Sequence, residues 1–441
     1  MKRTTRIFGW SLIVSLGGFL FGFDTAVISG VEKPIQQLFQ LSAFWHGLTI
    51  SSALIGTVIG ALYAGNPADR YGRRFVLFIV AALYAISAFG SALASTLPLF
   101  IVFRFLGGLA VGASSVAGPM YISEISPARV RGQMTALFQF NVIFGILMAY
   151  ISNYLLRDTG AEPWRYMLGI EGIPALAFFI LLFLVPKSPR FLIKINRVEE
   201  AMKVLQKING HHVEKEVAEI QKSLKHGLTA SQNLFSNQYF KPISIAFLVA
   251  MFNQFSGINA ILYYAPRIFE LTGLSAADSM FQPVMIGITN GVFTVLGMVL
   301  IDKVGRKKLL ITGSLGMSVC LGLMAKSFYF QEFSGYGILI YLLVYIIFFA
   351  FSTGAVIWVL ISEVFPNSIR GKGQALGSFT HWFFAALITF LFPVFAGTPQ
   401  GTGISFAFFA LMMVVQVVVV WRYFPETKGK TLEMLGEELS A

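Results

Sequence analysis

The sequence predicts an all-α membrane protein with twelve spanning helices arranged in two pseudo-symmetric six-helix bundles. Three observations predict this fold: an apolar composition, twelve apolar segments of membrane-crossing length, and two motifs that occur once in each half of the chain. Of the 441 residues, 56% are hydrophobic and only 12% are charged, and the mean hydropathy is +0.72. Soluble domains carry about 25% charged residues. A chain with so little charge cannot cover a water-exposed surface.

Twelve segments are long and apolar enough to cross a bilayer, which requires about 20 mostly apolar residues. They lie at roughly 7–30, 46–66, 75–95, 98–121, 133–155, 166–186, 243–269, 281–301, 308–330, 338–362, 372–396 and 403–424. The first segment carries Asp24 in its second half and has no small-residue cleavage site at its end, so it predicts a spanning helix and not a cleaved signal. The single cysteine, Cys320, excludes internal disulfides and thiol metal sites.

Basic residues alternate between the connections of these segments. The chain has 33 lysines and arginines against 21 acids, which gives a net charge of +12. Arg104 lies inside a segment, and one set of connections carries only Lys33, Arg157, Arg165, Arg267 and Lys326. The remaining basic residues fall on the opposite side, which the positive-inside rule makes cytoplasmic. We therefore expect both termini in the cytoplasm, and the charge indicates membrane topology and not nucleic-acid binding.

A long polar stretch, 187–241, divides six segments from six. It contains Glu199–Lys207 and Glu214–Lys225, both with helical apolar spacing. We expect a cytoplasmic linker with short amphipathic helices. The expected organisation is an N-terminal bundle over 1–186, the linker over 187–241, a C-terminal bundle over 242–424 and a cytoplasmic tail over 425–441.

Two motifs recur at nearly one offset along the chain. Asp-Arg-Tyr-Gly-Arg-Arg at 69–74 follows the second segment, and Asp-Lys-Val-Gly-Arg-Lys at 302–307 follows the eighth. Ser-Glu-Ile-Ser-Pro begins at Ser123 and is followed by Arg131-Gly132, and Ser-Glu-Val-Phe-Pro begins at Ser362 and is followed by Arg370-Gly371. Because two different motifs repeat together, they indicate an internal duplication, as in transporters built from parallel six-helix halves.

Further motifs carry a family resemblance. They are Phe-Arg-Phe-Leu-Gly-Gly at 103–108, Pro-Met-Tyr-Ile-Ser-Glu at 119–124, Gln-Phe-Ser-Gly-Ile-Asn at 254–259 and Pro-Glu-Thr-Lys-Gly at 425–429. Over essentially its whole length the chain resembles the sugar porter family of the major facilitator superfamily. The first segment, 18–30 with Asp24, is most similar to the proton-coupled bacterial members. The resemblance implies the major facilitator fold and monosaccharide import by alternating access with proton symport.

The chain departs from the family pattern at four places. Lys187 stands in Pro-Lys-Ser-Pro-Arg where the family usually has a glutamate, and Asn253 replaces the first of a usual glutamine pair. The stretch 352–357 lacks the usual proline, and His381 stands where an amide is common. The last three departures fall at or near the expected pocket, so they bear on which sugar is carried.

Buried amides and aromatics are the candidate substrate groups. Carboxamides both donate and accept, as sugar hydroxyls do, and an aromatic face packs against the C–H face of a pyranose. Polarity alone leaves open that the amides form interhelical hydrogen bonds, worth about 1 kcal/mol each, and that the tryptophans form an interfacial belt. The resemblance implies substrate contacts by Gln139, Gln254, Asn259, Asn290, Trp358 and Trp382. Further substrate candidates are Asn253, Tyr263 as a gate aromatic together with Tyr264, and His381, which contacts the sugar or bonds to a neighbouring helix.

Asp24, Arg104 and Glu171 are ionisable groups inside apolar segments. An acid at the centre of a membrane helix costs about 2.5–3.5 kcal/mol on insertion scales, so such residues usually have partners and a function. Burial favours a protonated carboxyl, whereas a nearby guanidinium favours the charged form. A pair subject to both effects can load and release a proton, although a static ion pair is the alternative. The resemblance implies proton coupling by Asp24 and Arg104. Glu171 in the sixth segment is a candidate to assist them, and a structural acid near the membrane interface is the alternative.

The repeated motifs place charges of alternating sign near the cytoplasmic ends of the segments. They control topology or, as we favour, form an inter-half salt-bridge network that closes the cytoplasmic side. Gly72 and Gly305 permit the tight turns that such short loops need. The gate candidates are Asp69, Arg73, Arg74, Glu124, Arg131, Asp302, Arg306, Glu363 and Arg370.

The expected partners are a monosaccharide, a proton and the lipid bilayer, in a bacterial inner membrane. The sequence has no phosphate-binding loop and no clustered His/Cys spacing, so we expect no nucleotide, nucleic acid, metal or other cofactor. An enzyme is not expected because no nucleophile–base constellation is present. The alternatives left open are an uncoupled sugar uniporter of the same fold, a non-transporting membrane sugar receptor and a drug antiporter.

Overall fold

The structure, a computed structural model, describes residues 3–127, 129–208, 213–226, 234–333, 336–366, 369–430, 434–435 and 438–439. Within these residues the major elements are helices, and twelve of the helical segments are long and apolar enough to cross a membrane. They match the twelve segments predicted from the sequence one for one, so the predicted all-α, twelve-span fold is confirmed. The chain is an integral, multi-pass membrane protein.

The first six spans follow the predicted order, with ends that differ from the predicted ones by a few residues, and by eight at the end of the first span. The helices are α1 (Arg3–Leu38), α2 (Ala43–Tyr63), α3 (Gly65–Tyr71), α4 (Arg73–Leu93), α5 (Leu97–Ile125), α6 (Arg131–Leu156), α7 (Pro163–Gly169) and α8 (Gly172–Leu181), the last continued by a 3-10 turn, Leu182–Leu184. Helices α7 and α8 together make the sixth span, 163–184. Glu171 lies at the junction between them.

The described part of the linker contains three helices, α9 (Pro189–Lys194), α10 (Val198–Ile208) and α11 (Val213–His226). The last two match the predicted amphipathic helices, whose apolar faces need a partner in water. They bury these faces in one small cluster with α9, made of Leu192, Ile193, Ala201, Leu205 and Val217. The parts of the predicted linker at 209–212 and 227–233 lie outside the described residues, as do 431–433, 436–437 and 440–441 of the predicted tail.

The second six spans begin after a 3-10 turn at Asn237–Tyr239. The helices are α12 (Phe240–Phe255), α13 (Ile258–Glu270), α14 (Ala276–Val304), α15 (Arg306–Phe330), α16 (Gly337–Phe351), α17 (Thr353–Glu363), α18 (Arg370–Phe395) and α19 (Pro399–Tyr423). Helices α12 and α13 share the seventh span, and α16 and α17 share the tenth.

The chain divides into two compact units. Unit 1 comprises Met1–Thr25, Ile55–Ala149 and Thr159–Ser231, and unit 2 comprises Ala26–Leu54, Tyr150–Asp158 and Gln232–Ala441. Unit 2 therefore contains, besides the C-terminal spans, one end each of α1, α2 and α6.

Glycines set the closest helix crossing in unit 1. A Cβ atom added at Gly22 on α1 would lie 1.8 Å from the carbonyl oxygen of Val142 on α6. One added at Gly145 on α6 would lie 2.0 Å from the carbonyl oxygen of Phe19 on α1. Small residues let helix backbones approach closely in membranes, where lipid supplies no hydrophobic drive for association. The crossing holds α1 against α6 at Gly22, two residues before Asp24.

Candidate functional site

The seventh span is broken between α12 and α13, and the predicted amides lie on both sides of the break. Gly257 adopts φ 84°, a left-handed conformation that favours glycine. Gln254 lies in the last turn of α12 and Asn259 in the first turn of α13. The Asn259 Nδ2 donates to the Gln254 Oε1 at 2.7 Å across the break.

Gln254 is the centre of a larger polar cluster in unit 2. Its Nε2 donates to the Asn253 Oδ1 at 2.9 Å and lies 3.1 and 3.3 Å from the two ring nitrogens of His381 on α18. The Asn253 Nδ2 donates to the carbonyl of Thr353 on α17 at 3.5 Å. Gln254 is 1% exposed, so each of these groups depends on its neighbours for hydrogen bonds. The cluster offers donors and acceptors that a hydroxyl can replace.

Aromatic rings flank this cluster on the side of His381. The His381 ring centroid lies 4.9 Å from that of Trp358 on α17 and 4.8 Å from that of Trp382 on α18. Trp382 is buried, whereas Trp358 is 37% exposed. An apolar ring with an open face, next to paired amides, has the two properties that a pyranose needs.

Of the other predicted substrate residues, Asn290 and Tyr263 lie in unit 2 and Gln139 lies in unit 1. Asn290 on α14 is buried, and its Oδ1 accepts from the Thr294 hydroxyl one turn further along the same helix at 3.4 Å. Tyr263 is buried on α13. Gln139 is half-buried on α6 in unit 1. Their roles in substrate binding stay predictions.

Asp24 and Arg104 form a buried ion pair in unit 1. The Arg104 NH1 donates to Asp24 Oδ1 at 2.5 Å, and NH2 donates to Oδ2 at 3.3 Å and to the Asp24 carbonyl at 3.4 Å. The side chains are 1% and 3% exposed. Glu171 is 2% exposed, and its Oε1 has no hydrogen-bond partner among the described residues. Because an isolated buried charge is costly, each of the two charges is stabilised only while the partners stay together.

The repeated motifs meet in the same way in both units. In unit 1 the Arg73 guanidinium contacts Asp69 Oδ1 at 2.7 Å and Glu124 Oε1 at 3.0 Å. In unit 2 the Arg306 guanidinium contacts Asp302 at 3.1 Å and Glu363 at 2.8 Å. Each arginine follows a glycine whose φ is positive (Gly72 φ 94°, Gly305 φ 101°), in agreement with the tight turns that the sequence predicts at these positions. The arginine thereby joins its loop to the end of a neighbouring span.

Further residues complete these two clusters. The Ser188 hydroxyl donates to Glu124, and the Thr427 hydroxyl donates to Glu363 at 2.6 Å. Glu426 accepts from the backbone N–H of Arg306 at 2.9 Å. Its carboxylate lies at the first turn of α15, where negative charge is favoured. The sequence motifs that contain Ser188, Glu426 and Thr427 had predicted family membership but not these contacts.

Two of the other predicted gate arginines donate to backbone carbonyls. The Arg74 guanidinium donates to the carbonyls of Leu182 and Phe183 at 3.2 and 3.3 Å, and Arg131 Nε donates to the Ser126 carbonyl at 3.4 Å. Arg370 is half-buried at the start of α18. The inter-half network therefore stays a prediction, and the ion pairs described above each lie within one unit.

Sequence reasoning missed a charged cluster in unit 2, between the ends of α1 and α2 and helix α13. The Arg267 Nε on α13 donates to Glu32 Oε1 on α1 at 2.9 Å, and its NH2 donates to Gln36 Oε1. The His46 Nε2 on α2 lies 2.9 Å from Glu32 Oε2. Glu32 and His46 are 1% and 0% exposed. An ionisable residue inside an apolar segment was the available signal, but Arg267 lies 235 residues from Glu32.

Comparison with known proteins identifies the family. The model of the family described as "Sugar (and other) transporter" matches residues 10–439. The D-xylose-proton symporter of Escherichia coli (strain K12) is 38% identical, covering 98% of this chain and 96% of that protein. The arabinose-proton symporter of Bacillus subtilis (strain 168) is 37% identical, covering 96% of this chain and 93% of that protein.

Solved structures agree. The inward-open conformation of the xylose transporter XylE from E. coli superposes with a TM-score of 0.88 at 38% identity, covering 98% of this chain and 99% of that one. XylE bound to 6-bromo-6-deoxy-D-glucose, described as a major facilitator superfamily proton:xylose symporter, gives a TM-score of 0.82 at 38% identity, with full coverage of both chains. The resemblance drawn from the motifs is confirmed, and the chain belongs to the sugar transporter family, with the major facilitator fold.

Proposed function

We propose that this protein imports a monosaccharide together with a proton, by alternating access, across a bacterial inner membrane with both termini in the cytoplasm. The observation that carries the proposal is the buried Asp24–Arg104 pair. A static lock between two helices needs no ionisable groups, since packed apolar residues stabilise as well or better. A carboxylate that depends on one arginine takes up a proton when that arginine moves away. Proton uptake and a conformational change are thereby linked.

The substrate class rests on the cluster around Gln254. Asn253, Gln254, Asn259 and His381 hold their hydrogen bonds among themselves, and a sugar hydroxyl that both donates and accepts can take the place of one partner without leaving another unpaired. The exposed face of Trp358 suits the apolar side of a pyranose. Relatives named for xylose, arabinose and glucose transport support a monosaccharide.

The cycle needs no nucleotide, because the proton gradient supplies the energy. Sugar and proton bind from outside, the accessible side alternates, and both leave inside. Each ligand shifts the balance only through different affinity for the two states. The clusters around Arg73 and Arg306 hold the cytoplasmic ends of their spans and release them when that side opens. Closing the cytoplasmic side is the role that we assign to them.

The test is uptake of radiolabelled pentoses, hexoses and inositol into proteoliposomes, with and without an inward proton gradient. Wild type should accumulate one or more sugars only with the gradient. Asp24→Asn, which keeps the shape but cannot titrate, should lose accumulation and retain sugar exchange. Asp158→Asn is the matched control, because Asp158 is 81% exposed in a loop, and it should behave as wild type.

Two outcomes contradict the proposal in different ways. Equilibration that ignores the gradient in wild type means a facilitator, and Asp24 then has a structural role. Absence of uptake for every sugar, from protein that is monodisperse and correctly inserted, removes the sugar assignment and leaves a receptor or a carrier of another substrate class.

A further inference from the structure

The charged cluster of Glu32, His46 and Arg267 joins the two sequence halves at the end of the spans opposite to the Arg73 and Arg306 clusters. Glu32 and His46 belong to the first two spans, and Arg267 belongs to the seventh. With the orientation proposed above, this end faces away from the cytoplasm. A transporter that loads from outside must separate α13 from α1 and α2 here, and that motion removes Arg267 from Glu32.

Separation leaves Glu32 without its guanidinium. The carboxylate is 1% exposed in the closed arrangement, and removing one partner of a buried ion pair is strongly destabilising. The closed arrangement is further held by the Tyr150 hydroxyl on α6, which donates to the Leu262 carbonyl on α13 at 2.9 Å. A cation that stays beside Glu32 therefore lowers the free-energy cost of opening.

His46 is placed to supply that cation. Its Nε2 lies 2.9 Å from Glu32 Oε2, yet neither ring nitrogen nor that oxygen has a well-aligned hydrogen bond to any described residue. Buried polar atoms without partners are rare and need an explanation. Histidine and glutamate both belong to the N-terminal spans, so they stay together when Arg267 leaves. Histidine is also the side chain whose ordinary pKa lies within the range from pH 5 to 8.

The other charged or titratable groups around His46 do not change this balance. The Tyr264 ring on α13 meets the His46 ring edge to face, with centroids 6.0 Å apart. Lys33 on α1 and Glu270 on α13 form their own, more exposed pair. In the closed state Arg267 neutralises Glu32, and a second positive charge on His46 would be in excess. In the open state the charge on His46 restores neutrality.

We propose that Glu32 and Arg267 are the latch of the non-cytoplasmic side, and that Glu32 with His46 is a second proton site, filled from outside as the latch opens. The proton passes from external water to the imidazole and returns when Arg267 comes back to Glu32. Low external pH therefore favours opening to the outside, before any sugar binds. The inference rests on the proposed orientation and alternating access, and it does not require Asp24 to be the coupling acid.

The experiment measures latch opening directly, without sugar. Spin labels on cysteines introduced at Leu38 and Ala277, both exposed, report the distance between the non-cytoplasmic ends of α1 and α14 by pulsed electron resonance. The native Cys320 is replaced by serine in this background. Protein in lipid nanodiscs is measured between about pH 5 and 8, the range in which an ordinary histidine titrates.

The expected results separate the two parts of the proposal. In the wild-type background the long-distance, open fraction should rise as pH falls. Arg267→Gln should raise the open-to-closed ratio about tenfold or more at every pH, because the latch has lost its cation. His46→Gln should keep the latch and abolish the pH response, and Glu32→Gln should abolish it as well, since no acid remains to favour the imidazolium. Lys326→Gln, which removes an exposed positive charge on α15, is the control and should change neither.

A pH response that survives both His46→Gln and Glu32→Gln overturns the proton site. An Arg267→Gln variant that opens no more than Lys326→Gln overturns the latch. The same series in an Asp24→Asn background keeps this test separate from the proposed proton symport: the pH response should persist there, and its disappearance would assign it to Asp24. Monodispersity of each variant shows that it has folded, and two independent variants of the proton site guard against failure of one.

Discussion

Replacing Gly22 by alanine should drive α1 away from α6. The new Cβ would lie 1.8 Å from the Val142 carbonyl oxygen and 3.0 Å from the Ile146 nitrogen, against an ordinary contact of 3.4–4 Å. Both obstructing atoms are backbone, so no side-chain rotation relieves the clash and the helices must part by about 1.5 Å. A gap of even 0.5–1 Å forfeits about a quarter to a half of each van der Waals contact.

The cost follows from these distances. Overpacking costs about 1–3 kcal/mol where neighbours can adjust, so we expect the upper end, about 3 kcal/mol, here. Alanine regains up to about 1 kcal/mol of helix propensity over glycine. Gly9→Ala on the same helix gains that propensity with nothing within 4 Å of its new Cβ. The two variants should therefore differ by about 3 kcal/mol, which is a factor of roughly one hundred in the folded-to-unfolded ratio.

The assay uses the chain's only cysteine. Cys320 is 5% exposed, so a thiol-reactive fluorophore labels it mainly in unfolded protein and reports the melting temperature in detergent. Gly22→Ala should melt about 5 °C or more below Gly9→Ala. Equal melting temperatures for the two variants would refute the reasoning, because they would mean that α1 and α6 do not pack backbone to backbone at this crossing.

Two further predictions concern the site. Arg73→Ala removes the cation that joins Asp69 to Glu124 and should shift the conformer ratio towards inward-open, as measured by distance spectroscopy across the cytoplasmic ends; the neighbouring, exposed Arg70→Ala should leave the ratio unchanged. Gln254→Ala leaves two buried amide partners unsatisfied and should raise the Kd for sugar about tenfold, since each lost hydrogen bond to a ligand costs about 1–1.5 kcal/mol. Gln416→Ala, at a buried amide on α19, should bind sugar as wild type does, and equal losses in both variants would contradict a specific role for Gln254.

The twelve spans could be predicted from the sequence because each satisfies a local requirement, about 20 apolar residues without charge. The ends were less certain: α1 continues to Leu38, beyond the predicted end at residue 30, because Glu32 and Lys33 are accommodated by partners on another helix. A hydropathy scale scores charged residues such as Glu32 and Lys33 as unfavourable in a span, whether or not they form an ion pair. The break of the sixth span at Glu171 is likewise invisible to a hydropathy window.

The site could be predicted only in part, because a hydropathy pattern does not show which residues pair. Asp24 and Arg104 are charged residues inside apolar segments, so the sequence predicted that they pair with each other. The structure contains that pair. Arg267 and Lys33 are not anomalous, because they stand near span ends and look like ordinary loop charges. Their partners depend on how distant helices pack, which no local pattern in one sequence records. Likewise, the sequence does not predict that His381 contacts Gln254, which is 127 residues away.

The break at Gly257 ties two properties of the protein together. The bond between Gln254 and Asn259 spans it, and Arg267 stands eight residues further along the same arm. In the substrate site that we propose, a substitution at those amides that changes which sugar fits also changes how firmly α13 is held to α12. We therefore expect substrate preference and turnover number to change together. A lineage that adapts to a new sugar by mutation at these amides should then change its speed of transport as well, and laboratory evolution on growth rate should select both at once.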